Sequence, residues 1–340
     1  MALSTLTEKI SGKNILIITY LFESGLFYLG KSLYNELSSN NNVCVFPKEK
    51  YKRSKMGRYM PFYPSEKSKN LLDDISVHNV NHYDYQNILE VIKKEKIDII
   101  ISLETFMPNS GWIKMAKSLR VKVIDVPMPE WTDFGIIKRG GYSVFDEIWC
   151  LSKTSLALFE RYDNSKLVSW DYANDIAASP RSSDKEVGLF YHPASLNPTF
   201  SQKNTSIVIE SFLAFEKEKD VRLIITGSLT DRQLDMANKS NNIMIINEIL
   251  EKKDIYNIYE KTHCLLAPSS REGLGLHFYE AKKMGCRIIT TDVDPMNIHT
   301  PYLCKVISYN KGGSPIPFAQ TSKGEVLKQL NRFYKEEIDV

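Results

Sequence analysis

The chain has 340 residues, 43% hydrophobic and 25% charged, with a formal net charge of +3 at neutral pH. That length exceeds one ordinary core and suits two domains, and the composition is that of a soluble globular protein. No apolar run reaches the length of a membrane span, and the start MALSTLTEKISGKN lacks the apolar core of a signal peptide. Five scattered cysteines (Cys44, Cys150, Cys264, Cys286, Cys304) show no zinc spacing and read as free thiols in a reducing compartment, so a cytoplasmic location is expected.

Strand and helix signals alternate along the chain, as in an α/β fold. A first strand is expected over 14–19, a loop with Glu23, Ser24 and Gly25, a helix over 26–37 and a second strand over 43–46. Helix 88–94, strand 97–101, helix 112–119 and strand 121–126 follow. Strand 147–151 runs into Ser152, a good N-cap for a helix reaching Tyr162. Residues 1–170 thus form one Rossmann-like domain. Residues 171–186, with Pro180 and adjacent serines, read as a linker. Alternation then restarts with strand 187–191, helix 206–215, strand 222–226, strand 243–246 and helix 252–260. A second Rossmann-like domain is expected over 187–322. The segment 323–340 reads as a C-terminal helix packing back on the first domain.

The most informative stretch is 268–291, PSSREGLGLHFYEAKKMGCRIITT. An apolar strand, Cys264 to Ala267, ends at Pro268. A loop with Gly273 and Gly275 opens a helix, whose free N–H groups suit an anion. Glu272 and Glu280 flank that turn, and Gly285 suits a helix C-cap before the next strand. Backbone donors suit a pyrophosphate, and carboxylates bind the hydroxyls of a ribose or sugar. An ordinary surface helix with two glutamates carries the same acids without that context.

This segment resembles the Glu-x7-Glu signature of retaining glycosyltransferases of family 4. The resemblance implies a GT-B fold, two Rossmann-like parallel-sheet domains facing a cleft. It implies that Glu272 lies by the donor sugar and Glu280 by the ribose, with Gly273, Leu274, Gly275 and Leu276 forming the donor loop. Gln202-Lys203-Asn204 before a helix is similar to the family's basic step, so Lys203 is expected at the donor phosphates. The arginine often found about six residues earlier is replaced by Asn197; Arg271 is the nearest alternative cation in sequence. Glu248 and Ile249, after the strand at 243–246, fall where the family's loop lies against the nucleotide base.

Asp292-Val293-Asp294 is a literal Asp-x-Asp, read here as loop residues, and no metal or other cofactor is expected. The first domain resembles the family weakly. Only Gly25 remains of its paired glycines, and Glu104 stands where a histidine often contacts the donor sugar. Glu104, Glu130 and Trp131 are acceptor candidates. A core tryptophan beside an exposed glutamate fits the last two equally.

From Lys48 to Lys69, eight basic residues face Glu49 and Glu66, a local +6 interleaved with Tyr51, Tyr59, Phe62 and Tyr63. Gly57, Pro61 and Pro64 suggest an irregular loop. Such a stretch suits a polyanion or is a solvated surface.

The expected function is transfer of a hexose from a UDP- or GDP-hexose co-substrate to a hydroxyl of a glycan or glycoconjugate, retaining and metal-independent. Transfer to hydroxymethylated bases of DNA, a nucleotide-sugar epimerase and a binding protein without turnover are the alternatives.

Overall fold

The computed structural model describes residues 10–20, 24–47, 50–53, 59–62, 85–105, 111–130, 132–176, 185–194, 201–248, 250–310 and 315–339. The chain divides into two compact units, Met1–Asp175 and Ile176–Val340.

The first unit runs β1 (Asn14–Thr19), α1 (Gly25–Ser38), β2 (Asn42–Pro47), β3 (Lys50–Arg53), β4 (Tyr59–Phe62), α2 (Tyr85–Lys94) and β5 (Ile99–Leu103). It continues with α3 (Gly111–Ser118), β6 (Lys122–Val126), α4 (Phe134–Lys138), β7 (Glu147–Cys150), α5 (Lys153–Leu158) and β8 (Ser165–Leu167). Six strands form one parallel sheet in the order β2-β1-β5-β6-β7-β8. Its central strands read NILIIT and IIISL because both faces are covered, and a parallel strand buried on both faces needs a continuous apolar run. Trp112, Phe46, Ile100 and Phe159 are among the core side chains.

The second unit runs β9 (Glu186–Pro193), α6 (Thr205–Phe215), β10 (Arg222–Thr226), α7 (Asp231–Ala237), β11 (Ile243–Ile246), α8 (Lys252–Lys261) and β12 (Thr262–Ala267). Then come α9 (Leu276–Lys283), β13 (Arg287–Thr291), β14 (Tyr302–Cys304), β15 (Ser308–Asn310), β16 (Phe318–Gln320) and α10 (Lys323–Glu337). Its parallel sheet has the order β11-β10-β9-β12-β13-β14. Both sheets are therefore doubly wound. In each, the chain reverses direction beside its first strand, between β1 and β5 and between β9 and β12. Ligands of such sheets bind beyond the carboxyl ends of the two strands at that reversal.

Three observations bear on the expected boundaries and elements. The stretch assigned to a linker begins inside the first unit: Trp170, Tyr172 and Ala173 are buried, and Trp170 Nε1 donates to Ser32 Oγ on α1 at 2.9 Å. Polar neighbours in the sequence hid these apolar residues. The C-terminal helix covers the second unit's own sheet. Val326, Leu330 and Phe333 of α10 are fully buried in the core built from β9, β10, β12 and α6, because their spacing makes one apolar stripe. Third, β3 and β4 pair antiparallel, Tyr51 opposite Pro61, where an irregular loop is expected. Proline fits a two-stranded ribbon when its missing N–H faces outward. The remaining residues of 48–69 lie outside the described residues.

The helix after Ser152 is α5, ending at Leu158 where 162 is expected; Ser152 Oγ caps it by accepting from Ser155 N at 3.1 Å. All five cysteines are buried and free. Among the described residues, no helix is long and apolar enough to cross a membrane.

Candidate active site

The reversal between β9 and β12 gathers several sheltered charged residues of the second unit. After β9, a 3₁₀ turn Ser201–Lys203 leads to Asn204, whose left-handed backbone (φ 55°) precedes α6. Asn204 Nδ2 donates to Pro268 O at 2.7 Å, and Ser270 N donates to Gln202 O at 2.7 Å. These bonds tie the loop after β9 to the loop after β12.

That tie brings Lys203 to Glu272. Lys203 Nζ lies 2.6 Å from Glu272 Oε1, with the two side chains only 16% and 10% exposed. A cation and a carboxylate this sheltered interact far more strongly than a surface pair. Gly275 then turns the chain into α9 with φ +76°. A Cβ there would fall 2.6 Å from the Phe278 ring, so backbone and packing both require glycine. Gly273 and Leu274 are buried, and Leu276 is half-buried.

Glu280, in the second turn of α9, is 6% exposed. Its Oε1 accepts a short hydrogen bond from Lys252 Nζ, at the start of α8. Lys252 has no signal in the sequence beyond its place in a lysine-rich helix start. Arg271 is also buried, its guanidinium 4.0 Å from the centroid of the Phe318 ring on β16. The sequence offers Arg271 by proximity alone, and the structure places it in the same loop as Glu272.

Two further histidines lie here. His192, at the end of β9, has Nδ1 2.8 Å from Leu266 O and Nε2 3.0 Å from Thr205 Oγ1. It thus links β9, β12 and the first residue of α6. Burial, reinforced by Lys203, pushes it down to about 4. His277, in the first turn of α9, is held well below the usual histidine value by burial and then by Lys203. Neither histidine stands out in a sequence without its fold.

Other expected residues are not gathered into this cluster. Glu248 is exposed beyond β11, and Ile249 lies outside the described residues. Asp292 is exposed and accepts from Asn297 Nδ2 at 3.1 Å. Among the described residues, no group of three His, Cys, Asp or Glu side chains is arranged to hold a metal ion.

In the first unit, Ser24 Oγ caps α1 by accepting from Phe27 N at 3.3 Å, and Gly25 opens that helix with open space where a Cβ would stand. Glu104 follows β5 with φ 59° and is 6% exposed. A non-glycine residue in that conformation is strained, and such residues concentrate at functional sites. A pocket there is lined by Glu104, Thr105, Pro127, Met128, Asp133 and Tyr142, among others. Glu130 is half-buried next to this stretch, and Trp131 lies outside the described residues.

Comparison with known proteins bears on the fold and on the second unit's family. Residues 181–300 match the family model "Glycosyl transferases group 1". No curated protein sequence matches the chain. Among solved structures, an α,α-trehalose-phosphate synthase (UDP-forming) from Burkholderia xenovorans superposes with TM-score 0.61 at 9% identity, covering 96% of this chain and 93% of that one. The lipopolysaccharide outer core galactosyltransferase WaaB gives 0.57 at 13% identity, covering 95% and 96%. A Listeria monocytogenes protein provisionally named a UDP-N-acetylglucosamine 2-epimerase gives 0.62 at 13% identity, covering 96% and 89%. At these identities the likeness shows a GT-B fold. With the family match over the second unit, it supports a glycosyltransferase.

Proposed function

We propose that this chain transfers a hexose from a nucleoside-diphosphate sugar to a hydroxyl of a glycan or glycoconjugate, with retention and without a metal ion. The observation that carries this reading is the Lys203–Glu272 pair at the reversal of the second sheet, between the starts of α6 and α9. A diphosphate at the α9 N-terminus meets oriented backbone N–H groups, Lys203 and, one residue before Glu272, Arg271. Charge grows on the leaving diphosphate during transfer, and a fixed cation there lowers the barrier. Glu272 faces the donor sugar, and Glu280, oriented by Lys252, accepts from the ribose hydroxyls. The pocket at Glu104, with Glu130 and Trp131 nearby in sequence, receives the acceptor. The donor is a UDP- or GDP-hexose. The five buried, free cysteines suit a cytoplasmic site of action.

The reading is tested with a panel of UDP- and GDP-hexoses, each incubated with and without EDTA and followed by nucleotide release and by NMR of the product's anomeric proton. One donor should be consumed with retained configuration and unchanged rate in EDTA. Loss of activity in EDTA, restored by manganese, would assign Asp292 and Asp294 a metal.

The likeness to the epimerase fold favours one second reading, a nucleotide-sugar epimerase. An epimerase interconverts the donor with no acceptor present, which the same panel detects. A polyanionic acceptor held through Lys48–Lys69, DNA included, would make transfer fall steeply with salt.

A further inference from the structure

Glu272 has a second neighbour that the transfer reading leaves unused. His277 Nε2 stands 3.9 Å from Glu272 Oε1, the same oxygen that accepts from Lys203. That nitrogen is buried and has no hydrogen-bond partner. The ring is tilted against Phe278, centroids 4.1 Å apart. The titratable and charged groups around it are Glu272, Lys203, His299, His192 and Lys252. Buried, and near the Lys203 and Lys252 ammoniums, the imidazole stays neutral, and a neutral imidazole carries one N–H. With that proton on Nε2, the ring is a hydrogen-bond donor beside a carboxylate, roughly 1 Å beyond bonding length.

The arriving donor changes this balance. A diphosphate at the start of α9 competes for the Lys203 ammonium. Glu272, with a side chain 10% exposed, is then a sheltered carboxylate whose cation has been drawn off. A buried charge that loses its partner is strongly unfavourable unless another group replaces it. Leu276–Lys283 is the helix that carries both the N-terminal donor groups and His277, so the replacement is built into the element that meets the phosphate.

We propose that His277 is a positioning residue that takes over Glu272 when the donor diphosphate draws Lys203 away, keeping the carboxylate aimed at the sugar. The proposal rests on the roles given above to Lys203 and Glu272.

Two measurements test it. Lys203→Met imitates the departure of the ammonium without any nucleotide. With ¹⁵N-labelled histidines, the His277 titration midpoint should rise relative to wild type, because the repulsion of Lys203 is gone and an anionic Glu272 is left facing the ring. In Lys203→Met/Glu272→Gln the rise should be clearly smaller; an equal rise in both variants overturns the proposal, because the lost repulsion of Lys203 alone would then account for it. An unmoved midpoint in Lys203→Met overturns the proposal. Should Lys203→Met fail to fold, hydrolysis of the donor selected from the UDP- and GDP-hexose panel decides. His277→Ala should lower kcat about tenfold with KM within about twofold, and His277→Gln, which keeps an N–H donor, should recover most of the loss. Wild-type kcat in His277→Ala overturns the proposal, as does an equal loss in His277→Gln. If wild-type protein neither binds nor hydrolyses any donor of the panel, the transferase reading falls and this proposal with it.

Discussion

The two units solve the same topological problem with opposite chemistry. Each has a six-stranded parallel sheet that reverses beside its first strand. At the second unit's reversal stand Lys203, Glu272, Arg271 and, deeper, the Lys252–Glu280 pair. Among the described residues at the first unit's reversal stand a neutral cap, Ser24, and a buried carboxylate, Glu104, on strained backbone. The doubly wound scaffold sets where a ligand sits, and the loop residues set which ligand. A cation-rich crevice at a helix start suits a diphosphate. A pocket with a carboxylate and hydroxyl-bearing side chains suits an uncharged, hydroxyl-rich partner.

The largest expected effect comes from removing the cation. Lys203→Ala should lower donor turnover by about 10²–10³-fold, the size seen when one preorganised stabilising group is lost. An equal loss from mutating the first unit's Glu104 in donor hydrolysis alone would break the division of labour. The pH dependence of stability comes next. His192 titrates at about 4 when folded and near its ordinary 6.5 when unfolded. Its contribution is complete above pH 6.5 and is lost as pH falls toward 4, because the unfolded chain then binds the extra proton; the total is about 3 kcal/mol. All four tryptophans (Trp112, Trp131, Trp149, Trp170) lie in the first unit. Below pH 6 the circular-dichroism transition should therefore drop further than the tryptophan-fluorescence transition, and His192→Gln should narrow the gap. Equal shifts in both signals would place the titrating groups elsewhere.

Glu280→Ala should weaken nucleotide binding by about 1.5–3 kcal/mol, the worth of a hydrogen bond to a charged group, with a smaller change in kcat at saturation. Calorimetry with the hydrolysed donor's nucleotide reads this directly. The smallest effect belongs to the first unit. Glu104→Gln keeps the size of the side chain and removes its charge. It should reduce transfer to acceptor by about tenfold, ~1.4 kcal/mol, with hydrolysis of the donor little changed. Identical losses in both assays would move Glu104 to the donor side.

The sequence shows the parallel strands clearly because burial on both faces leaves continuous apolar runs such as Asn14–Thr19 and Arg222–Thr226. It shows the turn at Gly275 for a related reason: only glycine fits there. Short elements were harder to see. Helix α7 begins at a full capping box, Thr230 with Gln233, but offers too few apolar residues for a period. Polar neighbours around Trp170 and Tyr172 hide the end of the first unit. In the site, Glu272, Glu280 and Lys203 stand in recognisable local patterns. Lys252, His192 and His277 do not, because their meaning depends on partners 28, 74 and 5 residues away brought close by the fold.

The central claim is that the donor binds at the reversal of the second sheet. Hydrogen exchange with and without the panel's donor tests it most directly. The account expects protection of peptides spanning 201–207 and 268–280, lost in Lys203→Ala, with 99–105 unchanged until acceptor is added. Protection confined to the first unit, or protection at 268–280 that survives Lys203→Ala undiminished, would contradict it.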